Sequence, residues 1–271
     1  MTHVSAAHRR RRAGGVLAVG AAAAVALVVA LALWPSESSP RSKSDASTLP
    51  EPAQSVLEVP KPELLRDDPH ASLWSIVRRP VTARAAPDAG ARPVAQLAVS
   101  TPEETSNILL ILARKADDRG RVWVKARLPV LPNGTTGWLP RRAIGGYRSV
   151  NTRLVVDLSR FRATLLRDGR PVMRAAVGVG LGQWPTPRGH FYIRNKLVRY
   201  RSAFYGPLAF GTSARSAVLT DWPGGGFIGI HGTNQPGLLP GRVSHGCIRM
   251  RNADIVRLGR LMPVGTPMEV S

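Results

Sequence analysis

Residues 229–250 read GIHGTNQPGLLPGRVSHGCIRM. They hold the only cysteine of the 271-residue chain, Cys247, with His231 and His245 within sixteen residues upstream. A free thiol ionises near pH 8.5 and is a poor nucleophile at neutral pH. A nearby imidazole can take its proton or hold it as an ion pair. Acyl transfer also needs backbone N–H donors aimed at the tetrahedral oxyanion, and Gly246, directly before Cys247, lets such donors approach. Packing alone accounts for many buried cysteines and histidines. Here, however, two of the three histidines outside the segments read as unstructured stand beside the sole thiol. The third, His190, has no such company. Zinc held by His231, His245 and Cys247 is the competing chemistry. Against it, His-x-Cys crowds two ligands together, and the nearest acids are Asp221 and Asp254. No metal and no cofactor is expected.

Working outward from this stretch, the segment from Thr152 onward shows short apolar alternations that predict strands. These are Leu154–Asp157, Arg162–Leu166, Val172–Met173, Phe191–Ile193 and Phe227–Ile230, and Arg167-Asp168-Gly169-Arg170 is a hairpin turn between the second and third. A single amphipathic helix is predicted near the end, with Asn252 as N-cap and Ile255, Leu258, Leu261 and Met262 on one face. The fold class is therefore mainly β with one short helix. Residues 74–147 show the same strand pattern at Val81–Arg84, Pro93–Leu97, Ile108–Leu112, Val122–Lys125 and Gly137–Leu139. Turns are expected at Asp117–Gly120 and Asn133-Gly134. Five strands in so short a span predict a small barrel.

The N-terminal part is of a different kind. Arg9–Arg12 precede an uncharged run from Ala13 to Trp34, long enough at 1.5 Å per residue to cross a bilayer. Four arginines on that flank place residues 1–12 in the cytoplasm, residues 13–34 in the membrane and the remainder outside the cell. A cleaved signal peptide ending near Ala30-Leu31-Ala32 is the alternative, and it exports the same remainder. Residues 35–73, rich in proline and serine, predict a disordered linker. With one cysteine, a disulfide-stapled scaffold is excluded, and a lone thiol outside the cell is suspect chemically. The net charge of +21 is almost all arginine, with only five lysines in the chain. Apart from Arg9–Arg12 it is scattered, without a helix-turn-helix, zinc-finger or RNP-like pattern, so nucleic acid is not the expected partner.

The stretch IHGT…RVSHGCIRM resembles the signature of the L,D-transpeptidase (YkuD-like) catalytic domain. LVVDLSRFRATLLRDGRPV is similar to that domain's opening hairpin, and AVGVGLGQWPTPRGHFYI to its Gly…Thr-Pro-x-Gly-x-Phe segment. The resemblance covers residues 152–271 and implies a β-sandwich. Within residues 74–147, ARAAPDAG, GRVWVKA and GTTGWLP resemble the bacterial SH3-like domains of exported wall enzymes.

The transpeptidase resemblance implies that Cys247 attacks the carbonyl between the third residue and the terminal D-Ala of a peptidoglycan tetrapeptide stem. His231 would serve as base and then as acid, oriented by a backbone carbonyl. The N–H groups near His245, Gly246 and Cys247, within the Ser244-to-Cys247 run, would form the oxyanion hole. An amine of a second stem would then resolve the thioester. Arg249 is the candidate for steering a stem carboxylate, with Gly232 and Thr233 beside it as substrate-binding residues. A surface arginine is the plainer reading of Arg249. Carbapenem-type inhibitors are expected to acylate the same thiol. The rivals are an L,D-carboxypeptidase that uses water as acceptor and a non-catalytic wall-binding protein.

Overall fold

The computed structural model describes residues 70–198, 202–219 and 225–271, all of which belong to one compact unit, Gln54–Ser271. The basic segment, the proposed membrane span and all but the last four residues of the proposed linker lie outside the described residues. Among the described residues, no helix is long and apolar enough to cross a membrane.

The first seven strands are β1 (Ser72–Ile76), β2 (Val81–Arg84), β3 (Pro93–Leu97), β4 (Ile108–Ala116), β5 (Val122–Arg127), β6 (Thr136–Pro140) and β7 (Arg148–Val150). They form one sheet in the order β3-β2-β6-β5-β4-β1-β7, antiparallel throughout. All five strands predicted here are present, and β2 and β3 have the predicted bounds. The strands β1 and β7, which flank them, were not predicted. They pair with each other, and β1 begins two residues inside the stretch read as linker. Ala83, Leu97, Leu109, Ile111, Val124, Ala126 and Leu139 make this sheet's own core, and in β4 Ile108 and Leu110, on the other face, are buried as well.

Ten further strands follow. They are β8 (Thr152–Asp157), β9 (Arg162–Arg167), β10 (Arg170–Ala176), β11 (Gly178–Gly180), β12 (Gly189–Val198), β13 (Leu208–Arg215), β14 (Phe227–His231), β15 (Gly241–Ser244), β16 (Ile248–Arg249) and β17 (Pro267–Val270). Their order is β10-β9-β8-β17-β12-β13-β14-β16-β11-β15. The β9–β10 hairpin turns where the sequence predicts. Asp168 and Gly169 both have positive φ (49° and 74°), the type I′ geometry that matches strand twist. Strand β12 is shared. Its first half, Gly189–Tyr192, pairs with β17, and its second half, from Ile193, pairs with β13. Side chains from both flanks of β12 meet in one core, including Leu154, Val156 and Leu165 on one side and Phe210, Ile230 and Ile248 on the other.

Helix α1 (Asn252–Leu261) is the one α-helix among the described residues. Its N-cap is Arg251, not Asn252, and no side chain caps it. The Asn252 side chain has a different partner, described below. Ile255 and Leu258 are buried as predicted, Leu261 is partly buried, and Met262 lies just past the helix but reaches the same core.

A third cluster joins the two sheets. Trp74, Ile108, Leu110 and Val150 from the first surround Tyr192 of β12. The Tyr192 hydroxyl is fully buried and donates to the Ile108 carbonyl at 3.0 Å, and burial pushes its pKa up.

Candidate active site

The site is built on a parallel pair within the larger sheet. In the β14–β16 register, Ile230 faces Ile248 and His231 faces Arg249, and the Met250 N–H donates to the His231 carbonyl at 2.8 Å. Side chains alternate across a strand. Ile230 and Ile248, fully buried, point into the core. Gly229, His231, Cys247 and Arg249 therefore share the opposite face. There the Gly229 N–H donates to Cys247 Sγ at 3.4 Å. His231, Cys247, Arg249, Ser244 and His245 line one cavity, walled also by Phe204, Tyr205 and Phe227.

His231 is 2% exposed. Its Nδ1 lies 2.6 Å from the Gly232 carbonyl oxygen. A carbonyl only accepts, so Nδ1 carries the hydrogen and Nε2 is left with its lone pair. Burial holds the imidazole down at about 4; the Gly232 carbonyl opposes this, and the charge of Arg249 adds to it. Burial pushes the Cys247 thiol up, while the Gly229 N–H and Arg249 act to lower it. The resting pair is thus a neutral imidazole and a neutral thiol rather than an ion pair. Thr233 and Gly232 stand behind His231 and do not line the cavity. Asn252 Oδ1 accepts the Thr233 N–H at 2.9 Å, and a Cβ on Gly232 would fall 2.3 Å from that oxygen. Asn252 is therefore a brace for the His-Gly-Thr turn, a role its position at a helix start concealed.

The Cys247 turn is held from two sides. Ser244 is buried; its hydroxyl donates to the Cys247 carbonyl at 2.5 Å and accepts the Gly246 N–H at 3.1 Å. This corrects the expectation for Gly246, whose N–H is already engaged by Ser244 and does not point to an oxyanion. Gly246 has φ of +112°, and a Cβ would lie 3.0 Å from Ile228 Cδ1, so the position requires glycine. Its carbonyl accepts from buried Thr186 Oγ1 at 2.7 Å, and Thr186 Oγ1 in turn accepts the Gly180 N–H at 2.9 Å. Thr186 belongs to the TPRGHF stretch quoted above, which explains why that stretch accompanies the cysteine. The His245 ring packs on Trp184 with centroids 4.0 Å apart.

Arg249 is not a surface arginine. It is 6% exposed, its Nε is buried without a hydrogen-bond partner, and its Cζ lies 4.6 Å from the Phe204 ring centroid. Burial lowers its pKa, and the Cys247 sulfur acts to raise it. Tyr205 packs edge-on against His231 at 4.7 Å between centroids. Neither Phe204 nor Tyr205 carried a sequence signal, since an aromatic pair outside a strand pattern is indistinguishable from ordinary packing. His190 is exposed on β12 opposite Glu269 and lines a different cavity. Among the described residues, no group of three or more His, Cys, Asp or Glu side chains is placed to hold a metal ion.

Residues 151–270 match the family of the L,D-transpeptidase catalytic domain, YkuD. The YkuD protein of Bacillus licheniformis, described as an L,D-transpeptidase, is 34% identical over 131 residues, covering 47% of this chain and 72% of that protein. Its counterpart in Bacillus subtilis is 34% identical over 118 residues, covering 44% of this chain and 65% of that protein. Among solved structures, the catalytic domain of an E. faecium L,D-transpeptidase, determined by NMR, is 25% identical. It covers 44% of this chain and 96% of that one, with a TM-score of 0.34. With a third of the 131 aligned residues identical and 72% of the first relative covered, this chain belongs to the YkuD L,D-transpeptidase family.

Proposed function

We propose that this chain is a peptidoglycan L,D-transpeptidase working through a thioester on Cys247. The observation that carries the reading is the shared face of β14 and β16. It sets a carbonyl-anchored, neutral His231 and a buried guanidinium, Arg249, in one cavity with the sole thiol. His231 Nε2 takes the thiol proton as Cys247 Sγ attacks the carbonyl carbon preceding the terminal D-Ala of a tetrapeptide stem. Backbone N–H groups at His245 and Cys247 receive the oxyanion, with Gly246 left out because Ser244 holds its N–H. The imidazolium then protonates the leaving D-Ala nitrogen as the C–N bond breaks. An amine of a second stem attacks the thioester, His231 takes its proton, and the thiol is restored as the crosslink forms. Arg249 has two tasks. Its charge favours the Cys247 thiolate over the thiol, and its guanidinium, without a bond at Nε, offers a carboxylate a charged partner.

The same thioester opened by water would make the protein an L,D-carboxypeptidase. The small β body at residues 72–150 is proposed to be of SH3-like type, and residues 13–34 to anchor the enzyme in the membrane with its catalytic part outside. The test is incubation of the full chain with a disaccharide-tetrapeptide and analysis of products by mass. Free D-Ala with a crosslinked dimer supports transpeptidation, and free D-Ala with tripeptide alone supports the carboxypeptidase. An unchanged substrate refutes both in favour of a wall-binding protein.

A further inference from the structure

We propose that the small β body positions the catalytic cavity. Asn133 and Glu103 act as positioning residues through Arg215 and Arg194, which between them hold the Phe227 wall of the site. The inference rests on the reading of Cys247 as the reacting group.

Asn133 lies in the turn between β5 and β6, and 82 residues separate it from its partner. Its Nδ2 donates to the Arg215 carbonyl at 2.7 Å, and its Oδ1 accepts the Arg215 N–H at 3.0 Å. A side-chain amide thus satisfies both backbone groups at the end of β13, as a neighbouring strand would. The Arg215 side chain continues inward. Its guanidinium donates to the Gly225 carbonyl from Nε (3.1 Å) and Nη2 (2.5 Å), and its Cζ lies 4.9 Å from the Phe227 ring centroid. The adjoining Ser216 N–H donates to the Gly226 carbonyl at 2.8 Å, and Arg215 pairs with Phe227 in the ladder, so the start of β14 is tied to the end of β13 here.

The same ring is also held through the second residue. Arg194 is 2% exposed, with its Cζ 3.7 Å from the Phe227 centroid. Its Nη2 pairs with Glu103 Oε2 at 3.3 Å, whereas its Nε and Nη1 are buried without hydrogen-bond partners. Glu103 is therefore the charged partner of a buried cation, and breaking such a pair from one side leaves an uncompensated charge. Glu103 Oε2 also accepts from Asn195 Nδ2 at 3.2 Å, and Asn195 Oδ1 accepts the Gly211 N–H at the centre of β13. Phe227 lines the cavity that holds Cys247 and His231. Two polar residues of the small body thus converge, through two arginines, on one aromatic side chain of the site. The sheets also meet at Tyr192, two residues before Arg194 on β12, whose hydroxyl donates to the Ile108 carbonyl within its apolar cluster and makes no hydrogen bond to Arg194, Glu103 or Asn133.

The experiment uses the full chain and three variants: Asn133→Ala, Glu103→Gln and, as the control within the same interface, Tyr192→Phe. Two readouts are taken. One is D-Ala release from the tetrapeptide, resolved into kcat and KM. The other is the rate of Cys247 alkylation by iodoacetamide, which is unambiguous because the chain has one thiol. Misplacing a wall of a reacting site costs roughly ten- to a hundredfold in rate. Asn133→Ala and Glu103→Gln are each expected to lower kcat by about tenfold and to raise the alkylation rate severalfold, because the loosened wall admits the reagent. Tyr192→Phe is expected to lower the unfolding midpoint while leaving both rates as in the wild type. Wild-type alkylation rates in both test variants would overturn the proposal, as would an equal change in Tyr192→Phe, which would reduce the effect to general stability. If the wild type releases no D-Ala, the transpeptidase reading fails, and the alkylation rates alone then decide for or against the positioning role.

Discussion

Thr186 is the residue on which the geometry of the cysteine turn can be tested most sharply. Replacing it by valine keeps the β-branched shape and the methyl group while exchanging the hydroxyl for a second methyl. The hydroxyl makes two buried bonds, one to the Gly246 carbonyl at 2.7 Å and one from the Gly180 N–H at 2.9 Å, and the residue is 4% exposed. Each orphaned buried backbone group costs about 1–3 kcal/mol, so Thr186→Val should destabilise by about 2–6 kcal/mol. For a folded unit of this size that corresponds to a fall in the unfolding midpoint of about 4–24 °C. Thr186→Ser keeps both bonds and loses only a methyl group, which costs about 1 kcal/mol. The Gly246 peptide is displaced only in the valine variant, so kcat for D-Ala release should fall by about ten- to a hundredfold there and stay within a few fold in the serine variant. Calorimetric melting of both proteins, alongside kinetics on the tetrapeptide, makes the comparison. Equal midpoints and equal kcat for the two variants would refute the assignment of Thr186 as the brace of the Cys247 turn.

Cys247→Ala should abolish D-Ala release with little change in the melting curve, and intact-mass spectrometry of the wild type with a carbapenem should show one adduct that this variant lacks. His231 ought to make the fold acid-sensitive in a defined window. Its imidazole sits at about 4 when folded against about 6.5 unfolded, so neutral His231 stabilises the fold fully above pH 6.5, and this is lost as pH falls towards 4. Between pH 7 and pH 5 the loss is about 2 kcal/mol, measurable by urea unfolding and expected to disappear in His231→Gln. Asn252→Ala removes the acceptor for the Thr233 N–H and should lower kcat by about tenfold with KM nearly unchanged, because it frees the turn behind His231 rather than a substrate contact. A larger effect on KM than on kcat would show Asn252 to be in the substrate's path.

The strands with one exposed face were legible in the sequence because their alternation is local. The bounds of β2 and β3 follow from it, as does the Asp168-Gly169 hairpin, whose two positive φ angles suit that residue pair. The strand β13 was not legible. LAFGTSAR lies between β12 and β14 with six of its eight residues buried, so it shows no period of two, and its glycine is there because Asn195 Oδ1 occupies the space of a Cβ. The short strands β11, β15 and β16 give too few residues for any period and exist because neighbours pair with them. Cys247 and His231 were visible as chemistry by their types and spacing. Their protonation states were not, since those depend on burial and on the Gly232 carbonyl.

Arg249 shows the division most clearly. Its place in the SHGCIRM run was evident, yet an arginine-rich sequence offers no sign of which arginine is buried. Only the parallel pairing of β16 with β14 decides that this one faces the site. The same holds for Thr186 with Gly246, 60 residues apart, and Asn133 with Arg215, 82 apart. Periodicity and turn chemistry are carried by neighbours along the chain. Hydrogen bonds between residues far apart in the chain are carried by registers and packing that form only once the sheets are assembled.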